Sequence, residues 1–169
     1  MSGTTAYVSA GSNVDVEANL RRAAAELRRS YPGACFSSCW QSPAFGFDGA
    51  DFVNVSVALP VPAGVDVLAL NRDLERIEGL CGRLPGAPRW APRTMDLDIL
   101  LFGDQVGEVG GLTLPRPSLL EWAFMLGPTA ELAPDLVHPL TGRSLASHWA
   151  AFDHSVTPLT RLDLDLSRG

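Results

Sequence analysis

Lysine is absent from this sequence, and all 13 basic side chains are arginine. That excludes the phosphate-cradling lysine of P-loop proteins, the lysine of protein kinases and any Schiff-base chemistry. Arginine must do all the cationic work. Cysteine is scarce: Cys35, Cys39 and Cys81 are an odd number at spacings that fit neither a disulfide framework nor a zinc ribbon, and they read as core or strand residues. No uninterrupted apolar run approaches the roughly 20 residues that span a bilayer. Met1 to Thr5 lacks the basic and apolar regions of a secretory signal, so a soluble cytoplasmic protein is expected. An excess of positive charge is missing too. The formal net charge of −6 argues against broad binding to DNA, RNA or anionic membrane, each of which needs a basic face.

What is present is a globular composition, 46% hydrophobic and 19% charged, in a chain of 169 residues. That length suits one well-cored domain over residues 1–169, with a core of about 5–150 and an undetermined tail from 155. Thr4 to Ala10 reads as a strand ending in the turn Gly11-Ser12-Asn13. Leu20, Ala23, Ala24, Leu27 and Tyr31 then recur at helical spacing from Val16, with Asn13 or Asp15 as cap and Pro32-Gly33 as stop. Ala34 to Gln41 and Phe52 to Leu59 read as strands, the second alternating Val53, Val55, Val57 against Asn54, Ser56, Ala58. A second helix is expected from about Val65 to Leu80, an irregular loop over Gly82 to Pro92, and a strand over Thr94 to Phe102.

This order, βαββαβ, is that of the ferredoxin-like α/β (α+β) sandwich, an antiparallel sheet with helices packed on it. C-terminal additions follow: a short strand at Leu112 to Leu114, a helix over Ser118 to Ala133 interrupted near Gly127-Pro128, and another over Ser144 to Ala151.

Chemistry concentrates in Arg89-Trp90-Ala91-Pro92-Arg93-Thr94-Met95-Asp96-Leu97-Asp98-Ile99-Leu100-Leu101. Residues two apart on a strand share a face, so Asp96 and Asp98 project together, about 6–7 Å apart at Cα, while Met95, Leu97 and Ile99 face the core. Carboxylates so placed suit magnesium, which takes carboxylate and phosphate oxygens. Asp-x-Asp alone also fits a wet acidic face, and Leu162-Asp163-Leu164-Asp165-Leu166 is read that way. Asp96 and Asp98 differ because Arg76, Arg83, Arg89 and Arg93 precede them, a local cationic arm suited to phosphate oxygens. His138, His148 and His154 lie far along the chain at spacings unlike a zinc site, and exposed or capping roles suit them better.

Arg89-Trp90-x-Pro92-Arg93-Thr94-x-Asp96-Leu97-Asp98-Ile99-Leu100 resembles the signature of the 6-hydroxymethyl-7,8-dihydropterin pyrophosphokinase family of folate biosynthesis. The resemblance extends through Gly11-Ser12-Asn13, Ser42-Pro43 and Gly46, Phe52-x-Asn54, Glu78 with Gly82-Arg83, Leu112-Thr113-x-Pro115, Phe124 and Glu131-x-Ala133-Pro134. It implies pyrophosphoryl transfer from ATP to a reduced hydroxymethylpterin, with AMP released and two Mg²⁺ held by Asp96 and Asp98. By the same resemblance Arg83, Arg89 and Arg93, with Glu78, surround the triphosphate and nucleoside, Arg83 and Arg93 joining the aspartates in catalysis, and backbone at Ile99 and Thr113 meets adenine. The pterin lies between Phe52 and Phe124, with Trp90, Asn54 and the Ser42, Pro43 and Phe45 loop around it. The expected partners are these small molecules, with no nucleic acid and no membrane, for a monomer or weak homodimer.

Four positions depart from the pattern. Arg116 stands where a Pro-His pair supplies histidine, Trp122 where an arginine precedes Ala-Phe, Pro85 where a loop arginine is common, and Ala91 where glycine is usual. Arg116 offers a permanent charge in compensation. The departures leave open a second reading, a pterin- or nucleotide-binding module that keeps the fold without turnover. A ferredoxin-like RNA binder is disfavoured by the acidic charge.

Overall fold

The computed structural model describes residues 3–43, 51–82, 94–155 and 158–166. Its centre is β1 (Thr4–Ser12), whose alternation sends Ala6, Val8 and Ala10 to one face and Tyr7, Ser9 and Gly11 to the other. Along its whole length β1 pairs antiparallel with β4 (Phe52–Val61). On its other side it pairs with β5 (Asp96–Phe102), with a register shift between Tyr7 and Val8. With β3 (Cys39–Ser42) and β8 (Thr160–Leu162), the sheet order is β5-β1-β4-β3-β8, and β2 (Cys35–Phe36) also pairs with β4.

Two amphipathic helices cover one face of this sheet. In α1 (Val16–Ser30) the buried residues are Leu20, Ala23, Ala24 and Leu27. In α2 (Val67–Leu80) they are Val67, Leu70, Leu74 and Ile77. Both stripes repeat every three to four residues, as one helix face requires. They join Val8, Val55, Val57, Leu59, Leu97 and Ile99 in one core cluster. Each fully buried Leu or Ile there contributes about 1.5–3 kcal/mol before entropy is counted. The caps differ. Asp66 accepts from Ala69 N at 2.8 Å, so α2 starts two residues later than its pattern predicts. Asp15 is the N-cap residue of α1 at φ 44° with no side-chain cap bond, and Asn19 Nδ2 instead donates to Val14 O at 2.7 Å.

The opposite face carries α3 (Ser118–Glu121), α4 (Ala123–Leu132) and a second core cluster that includes Leu100, Leu101, Leu119, Met125, Leu126 and Leu145. The expected interruption at Gly127-Pro128 does not occur: both residues are buried inside α4, and the break falls at Trp122, which is extended at φ −117°. Gly127 is there for space, because a Cβ would meet Trp149 Cη2 at 2.9 Å. That contact docks α5 (Leu145–Ala151), whose cap Ser144 accepts from Ser147 N at 3.1 Å.

Other departures have local causes. The single strand expected over 34–41 is divided at Ser37-Ser38 because Ser37 Oγ takes the Ser56 N–H at 2.9 Å, replacing a backbone acceptor. The hairpin of β6 (Gly107–Val109) and β7 (Leu112–Leu114) turns through Gly110 and Gly111, both at positive φ, as a two-residue turn of this hand demands. The acidic tail is structural: β8 extends the sheet, and Leu166 is buried with Leu162 and Leu164 packed on the core. His138 is buried rather than exposed, yet its role is a capping one, with Nδ1 accepting from Leu140 N and Thr141 N. Cys39 and Cys81 are buried and Cys35 is exposed on its strand. Among the described residues no helix is long and apolar enough to cross a membrane.

Candidate active site

Pleating of β5 decides where the acids point. Met95, Leu97 and Ile99 are buried beneath the sheet, so Asp96 and Asp98 emerge half-buried on the face opposite α1 and α2. The register then sets their neighbours: Asp96 lies beside Gly11 and Asp98 beside Ser9. Gly11 faces Asn54 on β4, and Asn54 faces Trp40 on β3. A row therefore runs Asp96, Gly11, Asn54, Trp40 across four strands, with Asp96 and Asn54 about 10 Å apart at Cα from the spacing of two strands.

Gly11 keeps this row open. A Cβ there would stand 2.9 Å from Asn54 Oδ1 and 3.8 Å from Phe52 Cδ1. Asn54 is 3% exposed, and its Nδ2 donates to the buried Ser42 Oγ at 2.9 Å, which holds the amide edge in one orientation. Phe52, half-buried, pairs with Ser42 at the end of the strands, and Pro43 follows, exposed. The floor thus places an acidic end, a bare glycine and a fixed amide with an aromatic ring side by side.

Glu78 and Arg116 frame the acids. Glu78 Oε2 on α2 accepts from Leu97 N at 2.8 Å, tying the outer edge of β5 between the two aspartates. Ile99 is buried by its side chain, while its amide, two residues beyond Leu97, faces that same outer edge. Arg116 N donates to Leu100 O at 2.9 Å, Nε donates to Ser118 Oγ at 2.9 Å, and NH1 lies 3.7 Å from Asp98 Oδ1. Beside it a cleft of about 340 Å³ is lined by Gly111, Leu112, Thr113, Arg116 and Ser118 and by one acid, Glu121, so Thr113 and Arg116 meet in one cavity.

Phe124 on α4 is half-buried and stacks on Trp122 at 5.8 Å between centroids and 28° between planes. The helix that carries it is fixed by polar bonds that sequence reasoning missed. Ser56 and Thr129 hydroxyls, both buried, meet at 2.8 Å. Glu131 accepts from Trp40 Nε1 at 3.0 Å and from Ser38 N and Oγ at 2.9 Å. The signal for Ser56 was a polar residue alternating within an otherwise buried strand; Thr129 and Ser38 gave none. Arg83, Arg89, Arg93, Phe45 and Trp90 lie outside the described residues, as do Pro85 and Ala91.

Among the described residues no three His, Cys, Asp or Glu side chains form a cage for a metal. Two half-buried carboxylates on one face are nevertheless the donor set magnesium uses, because it keeps waters and substrate oxygens beside one or two carboxylates. The pair can hold a hard cation that arrives with a phosphorylated ligand.

A family model described as 7,8-dihydro-6-hydroxymethylpterin-pyrophosphokinase (HPPK) matches residues 7–134. A 2-amino-4-hydroxy-6-hydroxymethyldihydropteridine pyrophosphokinase of Synechocystis is 37% identical over 143 residues, 83% of this chain and 72% of that protein. Its namesake from Bacillus subtilis is 36% identical over 75% of this chain and 77% of its own. That from Methylorubrum extorquens is 34% identical over 90% and 96%. Among solved structures, an HPPK-DHPS in complex with substrates aligns at TM-score 0.67 with 11% identity, over 92% of this chain and 44% of that chain. At that identity the likeness is one of fold.

Proposed function

Because the chain belongs to the 7,8-dihydro-6-hydroxymethylpterin-pyrophosphokinase family, we propose that its site transfers the pyrophosphoryl group of ATP to the hydroxymethyl oxygen of 6-hydroxymethyl-7,8-dihydropterin, releasing AMP, in folate biosynthesis. The observation that carries this reading is the Asp96–Gly11–Asn54 row: a carboxylate pair at one end, a fixed amide about 10 Å away at the other. A flat heteroaromatic ring with a polar edge fits that spacing.

In this mechanism the pterin hydroxymethyl oxygen attacks the β-phosphorus in line, the bond from that phosphorus to the α–β bridging oxygen breaks, AMP leaves with that oxygen, and the hydroxyl proton is released to water. Asp96 and Asp98 would hold Mg²⁺, two ions in our reading, which when bound neutralises charge on the triphosphate. Asn54, braced by Ser42, reads the polar edge of the pterin, and Pro43, Phe45 and Trp90 are assigned to pterin binding by the family resemblance alone. Phe52 and Phe124 supply ring faces to stack on. Arg83 and Arg93 stabilise charge on the transferring group. Arg89 and Arg116 position the phosphates, Glu78 braces the strand between the acids, and backbone at Ile99 with Thr113 receives adenine. Most of the rate comes from alignment and charge compensation, with no covalent enzyme intermediate.

The strand order β5-β1-β4-β3 with α1 and α2 on one face supports a ferredoxin-like βαββαβ core. The β6–β7 hairpin, α3 to α5 and β8 are additions to it, and residues 1–169 are read as one domain. We read the protein as cytoplasmic and as a monomer or weak homodimer. Purified protein given Mg²⁺, ATP and the reduced pterin should form AMP and pterin diphosphate in equal amounts. Binding of both substrates without AMP would instead identify a non-catalytic module.

A further inference from the structure

Arg116 touches both the carboxylate assigned to the cation and the cleft assigned to the nucleotide. Its NH1 is 3.7 Å from Asp98 Oδ1, and the residue also lines the cleft that holds Thr113. The base of the side chain is pinned: the backbone N is bonded to Leu100 O and Nε to Ser118 Oγ, each at 2.9 Å. Nε shares one rigid plane with the outer guanidinium nitrogens, so turning the group away from Asp98 also gives up the Ser118 bond. At 3.7 Å the contact with Asp98 is Coulombic rather than a hydrogen bond. The two side chains are 36% and 32% exposed, a setting in which an ion pair is weak and readily exchanged. A divalent cation and a guanidinium crowd one carboxylate oxygen only against mutual repulsion. The cleft on the other side of Arg116 offers the guanidinium somewhere to go.

We propose that Arg116 is an exchange residue. It shields Asp98 while the site is without cation and nucleotide, and its guanidinium turns to the phosphates of an incoming nucleoside triphosphate as Asp98 takes the cation. The inference rests on the reading of Asp98 as a cation-binding carboxylate given above. Its consequence is coupling: Arg116 opposes binding of a bare cation and favours binding of a cation–nucleotide complex, so the two ligands enter together. A cation alone is then held weakly, which keeps the site unclaimed until nucleotide is present.

Titration of free Mn²⁺ by electron paramagnetic resonance, with and without a non-hydrolysable ATP analogue, tests this in the wild type, Arg116→Gln, Asp98→Asn and the double variant. Arg116→Gln should bind Mn²⁺ alone about fivefold more tightly, the equivalent of one partly exposed ion pair. It should bind the Mn²⁺–analogue complex at least tenfold more weakly, the equivalent of a lost charged hydrogen bond. In the Asp98→Asn background the first gain should vanish. A gain that persists there, or no gain in Arg116→Gln, overturns the exchange. If Asp98→Asn itself leaves Mn²⁺ binding unchanged, the cation-binding reading of Asp98 fails, and the exchange with it. Arg116→Ala, which keeps the Leu100 backbone bond, serves if the glutamine variant does not fold.

Discussion

Gly11→Ala probes the floor of the site directly. The new Cβ would sit 2.9 Å from Asn54 Oδ1, closer than carbon and oxygen tolerate without movement. The amide that must move is 3% exposed and bonded to Ser42 Oγ at 2.9 Å. Rotating it off its rotamer costs about 0.5–1.5 kcal/mol, and stretching or breaking a buried hydrogen bond adds about 1–3 kcal/mol. A loss of about 1.5–4.5 kcal/mol follows, which lowers the thermal midpoint by about 3–18 °C in a domain of this size. Calorimetric titration with the pterin should show weakened binding, because the displaced amide no longer presents its edge. The cycle with Asn54→Ala isolates the cause: with the amide gone, the added methyl of Gly11→Ala should cost less than about 0.5 kcal/mol. An unchanged midpoint and pterin affinity in Gly11→Ala, or the same cost in both backgrounds, would refute the reasoning.

Two further predictions concern the surroundings. Glu78→Ala strips the 2.8 Å acceptor from Leu97 N between the two aspartates. It should cost about 1–3 kcal/mol in urea unfolding, with Glu78→Gln recovering most of it because an acceptor oxygen returns. His138 has its pKa lowered by burial first and by the neighbouring His148 second. The neutral ring accepts the Leu140 and Thr141 amides. Its contribution is therefore complete above the unfolded value of about 6.5. It is lost as pH falls through the lower folded value, because the unfolded chain binds the proton first. Thermal midpoints between pH 8 and pH 5 should fall on the acid side, and the fall should shrink in His138→Asn.

The elements that period alone specifies were legible. Val53, Val55 and Val57 alternate because β4 has a buried and a site-facing side, and the α1 and α2 stripes follow the helical repeat. Asp96 and Asp98 were legible for the same reason: buried residues on either side leave the acids one direction to point. What stayed hidden depends on contacts distant in sequence. Nothing local announces that the Ser37 hydroxyl stands in for a backbone carbonyl and accepts the Ser56 N–H. Gly127-Pro128 looks like a helix stop, yet burial under Trp149 keeps it helical. The tail leucines gained meaning only once β8 met β3. Arg116 was noticed as a departure from a family pattern, but its approach to Asp98 follows from the backbone bond to Leu100, which only the fold supplies.

The central claim is that Asp96 and Asp98 carry the transfer, and one measurement meets it head on. AMP formation from Mg²⁺-ATP and the reduced pterin should fall at least about hundredfold in Asp96→Asn and in Asp98→Asn, the scale of losing a group that stabilises transition-state charge. Circular dichroism and the thermal midpoint should stay near those of the wild type, since both side chains are half-exposed on the site face. Near-normal AMP formation in either correctly folded variant would contradict the account.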